Sequence, residues 1–540
     1  MKINLLLVGA GLYALNQASP APLRLSKAQD EAIPASTSSA MSIISSVPSS
    51  SMDSTAKTTI SSTARSFTKP TATTPTKRTV TVPAGQASTQ MVFPIESIQK
   101  GASCEALFVY LDNLLGANQY YATYLSGMGV QFISVAVTAA QIDEIKKRPD
   151  VQGVVADEPL DGSSGAETPL SFIPAKTQVI PDASPTSIAN AEWEQQTIIQ
   201  APGTPLSNYP NYTVSVTDGK WGMVYVVDSG YDITGPEAGA MFAAAKNLQP
   251  QWIYAGTERL TGTHDYTDNA SNKHGTCMIS KINGEWHGVT QRSTMVIVKR
   301  QRTLRDSLDG LFWAINDDIG QNGRRWSVIT TPDIYQNPVD PLVVKVLERF
   351  TEETINQGTP FIVPAGDDYS PGGPADVNTY PQLLNEKYPI IVVGAVDING
   401  NNATFSKGGP LVNVMAPGVN STCAFDSVSD QIVSGTSYAA AYATGWLSYI
   451  LSEATFMELK IVNQVAISAQ ELMSGLAYPR VPGGGRVLYR GVTGQCDVKG
   501  STVCSNSAAS TTVAVPGALD PTTVITSREE LKDSKGWPFF

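Results

Sequence analysis

Short apolar runs punctuate the chain from about Tyr212 onward: GMVYVVDSG around Val226, MVIVKR around Ile297, WSVITT around Ile329, FIVPAG around Ile362 and IIVVGAV around Val393. Stretches of helical length and period lie between them. Runs rich in β-branched residues without polar alternation predict strands buried on both faces, and the helices between them predict a parallel sheet. The expected fold class for residues 212–485 is α/β, a doubly wound, mainly parallel sheet with helices on both faces.

A second, smaller pattern runs from Ala106 to Leu160. The apolar run ALFVYL, the helical stretch TAAQIDEIKKRPD and the strand-like VQGVVADEP predict a small α+β domain over 101–160. The segments around it read differently. From Ser36 to Thr89 the chain is dominated by Ser, Thr, Ala and Pro, a composition that cannot bury a core, and 19–100 is assigned to this low-complexity segment. The Pro/Ser-rich stretch 161–211 reads as an exposed linker of the kind proteases cut, and 486–540 as a tail.

The start, MKINLLLVGAGLYALNQAS, places a lysine before an apolar run and then small residues, which predicts a signal peptide over 1–18, cleaved after Ala18. That run is too short to span a bilayer, and no other stretch is long enough to do so, so the expected location is secreted and extracellular. The 540 residues carry 37 basic and 48 acidic side chains, a net charge of −11, with only 16% charged. This argues against nucleic acid or an anionic membrane as the main partner. Asn-x-Ser/Thr triplets at Asn211, Asn269, Asn402 and Asn420 are acceptors for glycosylation in a secretory compartment. Five cysteines are few for a disulfide-built scaffold; Cys496 and Cys504 could close a small loop, and Cys277 reads as a buried small hydrophobe.

Three motifs carry candidate chemistry. Val224-Tyr-Val-Val-Asp228-Ser-Gly puts a carboxylate at the end of a buried strand, where α/β sheets place functional groups. Asn272-Lys-His274-Gly-Thr-Cys-Met puts one of only three histidines at the start of a helix. Gly435-Thr-Ser437-Tyr-Ala-Ala-Ala-Tyr-Ala-Thr-Gly opens an alanine-rich helix with a serine, where the helix N-terminus favours developing negative charge. Singly, each has an ordinary explanation: a turn, a satisfied histidine, a helix cap. Together they supply the carboxylate, base and nucleophile that acyl transfer by a serine requires. His264 and His287 lack the Gly-Thr partner and are read as structural or exposed. Asp265 and Asp268 form no spaced run of oxygen ligands, so a solvated loop is expected there; calcium is not legible.

In this order, and with Phe405-Ser-Lys-Gly-Gly-Pro and Val414-Met-Ala-Pro-Gly ahead of the serine, the chain resembles the subtilisin-like serine peptidases. The segment Lys147-Arg148-Pro149-Asp150-Val151 is similar to that family's inhibitor-like propeptide. The resemblance implies a secreted serine endopeptidase acting on extracellular protein or peptide substrates; a monomer is the default expectation. It further implies that Asp228, His274 and Ser437 form the triad, that the propeptide is an intramolecular inhibitor, and that no organic cofactor is needed. Three departures stand out. Asp367, in Pro364-Ala-Gly-Asp367, replaces the family's usual oxyanion asparagine, and an ionised carboxylate cannot donate a hydrogen bond. Ser327-Val-Ile-Thr-Thr-Pro-Asp333 replaces the usual substrate-pairing edge, and Lys273 precedes His274 where glycine is more common. Asp367 makes a weak or inactive, peptide-binding homologue the alternative. An α/β-hydrolase esterase is excluded, because no histidine follows Ser437.

Overall fold

The computed structural model describes residues 86–160, 171–176, 186–214, 219–242, 248–261, 264–321, 326–370, 372–453, 464–493, 497–499 and 513–514. The expected signal peptide, nearly all of the low-complexity segment, Cys496 and Cys504 lie outside them. Among the described residues no helix is long and apolar enough to cross a membrane.

The small domain is a four-stranded antiparallel sheet of β1 (Ser88–Pro94), β2 (Tyr120–Tyr124), β3 (Val130–Val137) and β4 (Val151–Ala156), in the order β2-β3-β1-β4. Helices α1 (Glu96–Gln99), α2 (Glu105–Leu115) and α3 (Ala139–Ile145) accompany it. The period of two along β1 divides its two faces. Val92 packs with Leu107 and Leu111 of α2, whereas Met91 and Phe93 join the core of the large domain. Thr138 caps α3 in a reciprocal capping box with Gln141, which explains why TAAQID starts a helix. The run ALFVYL forms helix α2, and β1 begins at Ser88, inside the stretch read as low-complexity.

The stretch 161–211, expected to be an exposed linker, carries β5 (Ser171–Pro174), β6 (Thr186–Ala189), α4 (Trp193–Ile199) and a short 3-10 turn (Leu206–Asn208). Ile198 and Ile199 of α4 are fully buried, so this segment belongs to the core despite its proline and serine content. Its strand β6 pairs with β7 (Asn211–Val214).

The large domain is built on nine strands: β8 (Gly222–Asp228), β9 (Gln251–Tyr254), β10 (Thr294–Lys299), β11 (Trp326–Thr330), β12 (Phe361–Pro364), β13 (Ile391–Val396), β14 (Val414–Pro417), β17 (Tyr478–Pro479) and β18 (Arg486–Val487). Their order is β17-β18-β14-β13-β12-β11-β8-β10-β9, parallel throughout except for the β17–β18 pair. The α/β expectation is therefore met. The sheet continues past residue 485, because Val487 pairs with Met415 and Leu488 is buried. Helices α5 (Pro236–Met241), α6 (Gly256–Thr261), α7 (His274–Asn283), α8 (Leu304–Gly320), α9 (Pro341–Gln357), α10 (Thr436–Ser452) and α11 (Val465–Leu476) complete the domain.

Alternation along β8 distributes the layers. Met223, Tyr225 and Val227 face the cluster containing Leu308, Phe312, Val346 and Phe350 of α8 and α9. Val224 and Val226 face Cys277, Met278 and Ala441 of α7 and α10 on the other side. Every residue of α10 is buried, and its alanines allow close approach to the sheet. A hairpin of β15 (Ser421–Ala424) and β16 (Ser429–Val433) leads into α10, and β5 adds a third antiparallel strand to it. The strand order runs one way from β8 to β10 and the other way to β11, so the carboxyl end of β8 is the topological switch point, where α/β sheets place their sites.

Candidate active site

Asp228 ends β8 at that switch point and is 4% exposed. Its Oδ1 accepts from the backbone N–H of Ser229 at 2.7 Å and from the Ser229 hydroxyl at 3.2 Å. Its Oδ2 lies 2.8 Å from His274 Nδ1. Burial alone would raise this carboxyl, but His274, the Arg300 guanidinium and the Ser229 N–H together hold it down to about 2.

His274 is the first residue of α7. The turn before it requires left-handed backbone at Lys273, with φ of 50°. The lysine is not free in solvent as its sequence position allowed: its Nζ donates to the Asp268 carbonyl at 2.8 Å and pairs with Asp232 at 3.3 Å. Gly275 is obligatory in this arrangement, because a Cβ there would stand 2.2 Å from the Gly230 carbonyl oxygen. The His274 ring is partly exposed, and its centroid lies 5.3 Å from that of Tyr438.

Tyr438 follows Ser437, which occupies the first turn of the 17-residue helix α10 and is 3% exposed. The loop after β12 brings Asp367 to the same helix end. Its Oδ1 accepts from Thr436 N at 2.9 Å and from Thr436 Oγ1 at 2.6 Å, while Thr436 Oγ1 itself accepts from Gly366 N at 3.1 Å. Removal from water raises the Asp367 carboxyl to about 6; the Thr436 donors, His274 and Lys407 oppose that shift only in part. The structure thus gathers the three motif residues and Asp367 at the carboxyl edge of the sheet and joins Asp228 to His274 directly.

The edge Ser327–Asp333 is closed by a buried ion pair between Arg300 and Asp333, whose Oδ2 also accepts from Thr331 Oγ1 at 2.8 Å. The other histidines stand elsewhere. His264 is exposed and stacks on Tyr254 at 4.2 Å. His287 is fully buried with Nδ1 2.9 Å from Glu192; burial would lower its pKa, but Glu192, Glu237 and Asp430 raise it to about 10. Among the described residues no group of three or more His, Cys, Asp or Glu side chains is arranged to hold a metal ion.

Two expectations are corrected. Cys277 is not a lone hydrophobe, because it forms a disulfide with Cys423 of β15, 146 residues away. Asp268 is not in a solvated loop, being 2% exposed and bonded to the first turn of α7. The disulfide is one of several ties between α7 and the hairpin that leads to Ser437. Lys281 Nζ donates to the Thr422 carbonyl at 2.8 Å, Gln431 Nε2 donates to the Asn272 carbonyl at 3.0 Å, and Ser280 Oγ accepts from Ala424 N at 3.1 Å. No local signal reveals these contacts, since each joins residues more than a hundred positions apart.

The sequence profile of the Subtilase family matches residues 219–474, the span that holds all four of these side chains. Residues 219–474 form a subtilase-family domain. It is 28% identical over 244 residues to "Subtilisin-like protease 2" of Pseudogymnoascus destructans, covering 45% of this chain and 54% of that one. It is 24% identical over 343 residues to "Subtilisin-like serine protease pepC" of Aspergillus niger, covering 61% and 55%. It is 25% identical over 291 residues to "Subtilisin-like serine protease Pen c 1" of Penicillium citrinum, covering 52% and 64%. The chain therefore spans between 54% and 64% of these relatives' lengths. A solved "cold adapted subtilisin-like serine proteinase" is 21% identical with a TM-score of 0.42, covering 56% of this subtilase and 99% of that chain.

Proposed function

We propose that this subtilase is a secreted serine endopeptidase acting on extracellular proteins or peptides, with Ser437 as nucleophile, His274 as base and Asp228 as its orienting carboxylate. The observation that carries this reading is the 2.8 Å contact from Asp228 Oδ2 to His274 Nδ1, at a helix start that lies beside the turn bearing Ser437. In the proposed reaction Ser437 Oγ bonds to the scissile carbonyl carbon while its proton passes to His274 Nε2. Collapse of the tetrahedral species breaks the C–N bond, and the same proton leaves on the amine. Water then attacks the acyl-enzyme with His274 again taking a proton, which releases the acid and restores Ser437. Asp228, held ionised, keeps the Nδ1 proton in place and stabilises the imidazolium.

The oxyanion needs donors. The Ser437 N–H is one, and Asp367 is the second when protonated. Oδ1 of Asp367 is occupied by two Thr436 donors, so the acid proton belongs on Oδ2, the oxygen that lies toward Gly435. With its carboxyl at about 6, Asp367 is mostly protonated at pH about 4.5 and mostly ionised at pH about 7.5. Losing such a donor costs about 10²- to 10³-fold in kcat, a size of effect known from subtilisin, a member of this same family.

The small domain is proposed as the intramolecular inhibitor. In support, Leu160 N donates to the Arg302 carbonyl at 3.1 Å and Leu304 N to the Glu158 carbonyl at 2.9 Å, so its last residues lie as a strand along the segment after β10. Secretion accords with the signal-like Met1–Ala18 and with the acceptor asparagines, of which Asn269, Asn402 and Asn420 are exposed. Asp367 also favours a second reading, a subtilase of little activity that retains peptides in the cleft. Labelling by a serine-directed fluorophosphonate at pH about 4.5 and about 7.5, with Ser437→Ala as control, separates the two. Ser437-dependent labelling, stronger at the lower pH, is expected of the peptidase; no labelling at either pH leaves the binding protein.

A further inference from the structure

No step of the proposed mechanism uses Asp268, yet it is among the most enclosed carboxylates near His274. It is 2% exposed on the loop before α7. Its Oδ2 accepts from Thr276 N and from Thr276 Oγ1, both at 2.8 Å, and a further donor, Ala270 N, lies 3.0 Å from Oδ1. Thr276 is the third residue of α7, so Asp268 satisfies an N–H that the first turn leaves without a partner in the helix. The Asp268 backbone bridges to Gly230, just past Asp228.

One side chain links this carboxylate to the first. Ser229 Oγ accepts from Gly275 N at 3.1 Å and donates to Asp228 Oδ1 at 3.2 Å. Ser229 thus joins the first turn of α7 to Asp228, and Asp228 is close enough to affect the charge of Asp268. Burial raises the Asp268 carboxyl first, the Asp228 anion adds to that, and the Ser229 and Thr276 donors work against both. The other charges around it have partners: Lys273 bonds the Asp268 carbonyl and pairs with Asp232, Lys299 beyond Gly230 pairs with Asp265, and Glu258 of α6 accepts from the neighbouring Asn269.

We propose that Asp268 is a positioning residue for proton transfer, acting through Ser229 and the first turn of α7 on the Asp228–His274 pair. Its carboxylate holds the first turn of α7, on which His274 stands, and Ser229 bonds both that turn and Asp228, so the charge and the hold of Asp268 bear on how strongly Asp228 binds the imidazole. This inference rests on the serine-peptidase reading.

The test is steady-state kinetics of the mature enzyme against pH for wild type, Asp268→Asn and Ser229→Ala, after Ser437-dependent fluorophosphonate labelling of wild type. Asp268→Asn removes the charge and keeps one oxygen to accept from Thr276, losing the acceptor that faces Ala270 N. The expected result is a kcat about tenfold lower with KM unchanged, and an acid limb of kcat/KM moved to lower pH by about half a unit, because one anion near the imidazolium is gone. Ser229→Ala is expected to move the same limb with Asp268 in place, and it decides the matter if Asp268→Asn does not fold. An unmoved acid limb and unchanged kcat in a folded Asp268→Asn, or in Ser229→Ala alone, overturns the positioning role and leaves the peptidase reading standing. Absence of labelling in wild type overturns the reading and the proposal with it.

Discussion

Asp228 at the end of β8 and Asp367 in the loop after β12 both feel the charge of His274, and the surrounding protein strips water from both. One is nevertheless held down to about 2 and the other raised to about 6. Both oxygens of Asp228 are engaged, one by the Ser229 N–H and hydroxyl and the other by His274, with the Arg300 cation behind them. The two Thr436 donors of Asp367 both address Oδ1, and His274 and Lys407 are the charges that oppose its burial. Loss of water is common to the pair; what differs is how many donors and cations replace it at each oxygen. Two carboxylates of one site can thus take opposite roles at a single pH, one as an anion and one as an acid.

The comparison breaks most severely if Asp228 loses its charge. Asp228→Asn is expected to lower kcat about 10⁴-fold with the fold intact, measured by peptide hydrolysis and circular dichroism. A loss below tenfold would show that another group orients His274. The disulfide and the hydrogen bonds beside it fasten α7, which carries His274, to the β15–β16 hairpin that leads into α10. Closing a loop of this length contributes about 4 to 5 kcal/mol through the unfolded chain. The double variant Cys277→Ala, Cys423→Ala is expected to lose stability of that order in denaturant unfolding.

Asp367 gives the sharper contrast. If only its acid form donates, activity falls about tenfold per pH unit above about 6, and Asp367→Asn removes that fall. At pH about 8 the variant is expected to be about 100-fold faster than wild type. Equal rates of the two proteins at that pH would dismiss the protonated-acid role.

The smallest effect lies at the junction of the two domains. Asp309 of α8 is fully buried and accepts from Thr123 Oγ1 at 2.5 Å, Tyr121 Oη at 3.2 Å and Gly256 N at 2.7 Å. Burial and Asp306 raise it to about 6 against those donors. An acid raised in the joined state favours joining below its free value and loses that gain as pH rises through about 6. Inhibition of the mature enzyme by the separated small domain is expected to tighten about tenfold between pH 7 and pH 4, and Asp309→Asn to remove that dependence. Inhibition constants at the two pH values check it.

Much of the site was legible because its parts are local. Asp228, His274 and Ser437 each sit where a strand ends or a helix begins, and such places carry short signatures. Asp367 could be singled out because it departs from a motif. Cys277 and Asp268 were misread for the opposite reason: partners at Cys423, Ser229 and Thr276 are assigned by how the chain packs, and composition is blind to that. Segment 186–199 was misread because proline and serine around it outweigh a single seven-residue helix, whose Ile198 and Ile199 find their core only in the assembled sheet.

The bond between Cys277 and Cys423 also decides what a peptidase cut does to this molecule. It encloses β10 to β14 and helices α8 and α9, together with every loop between them. A single cut anywhere in that span opens the backbone without releasing a fragment, so the two pieces remain one covalent molecule. Nicked and intact chains would then migrate together until a reductant is added, and damage from self-digestion in those loops would be survivable.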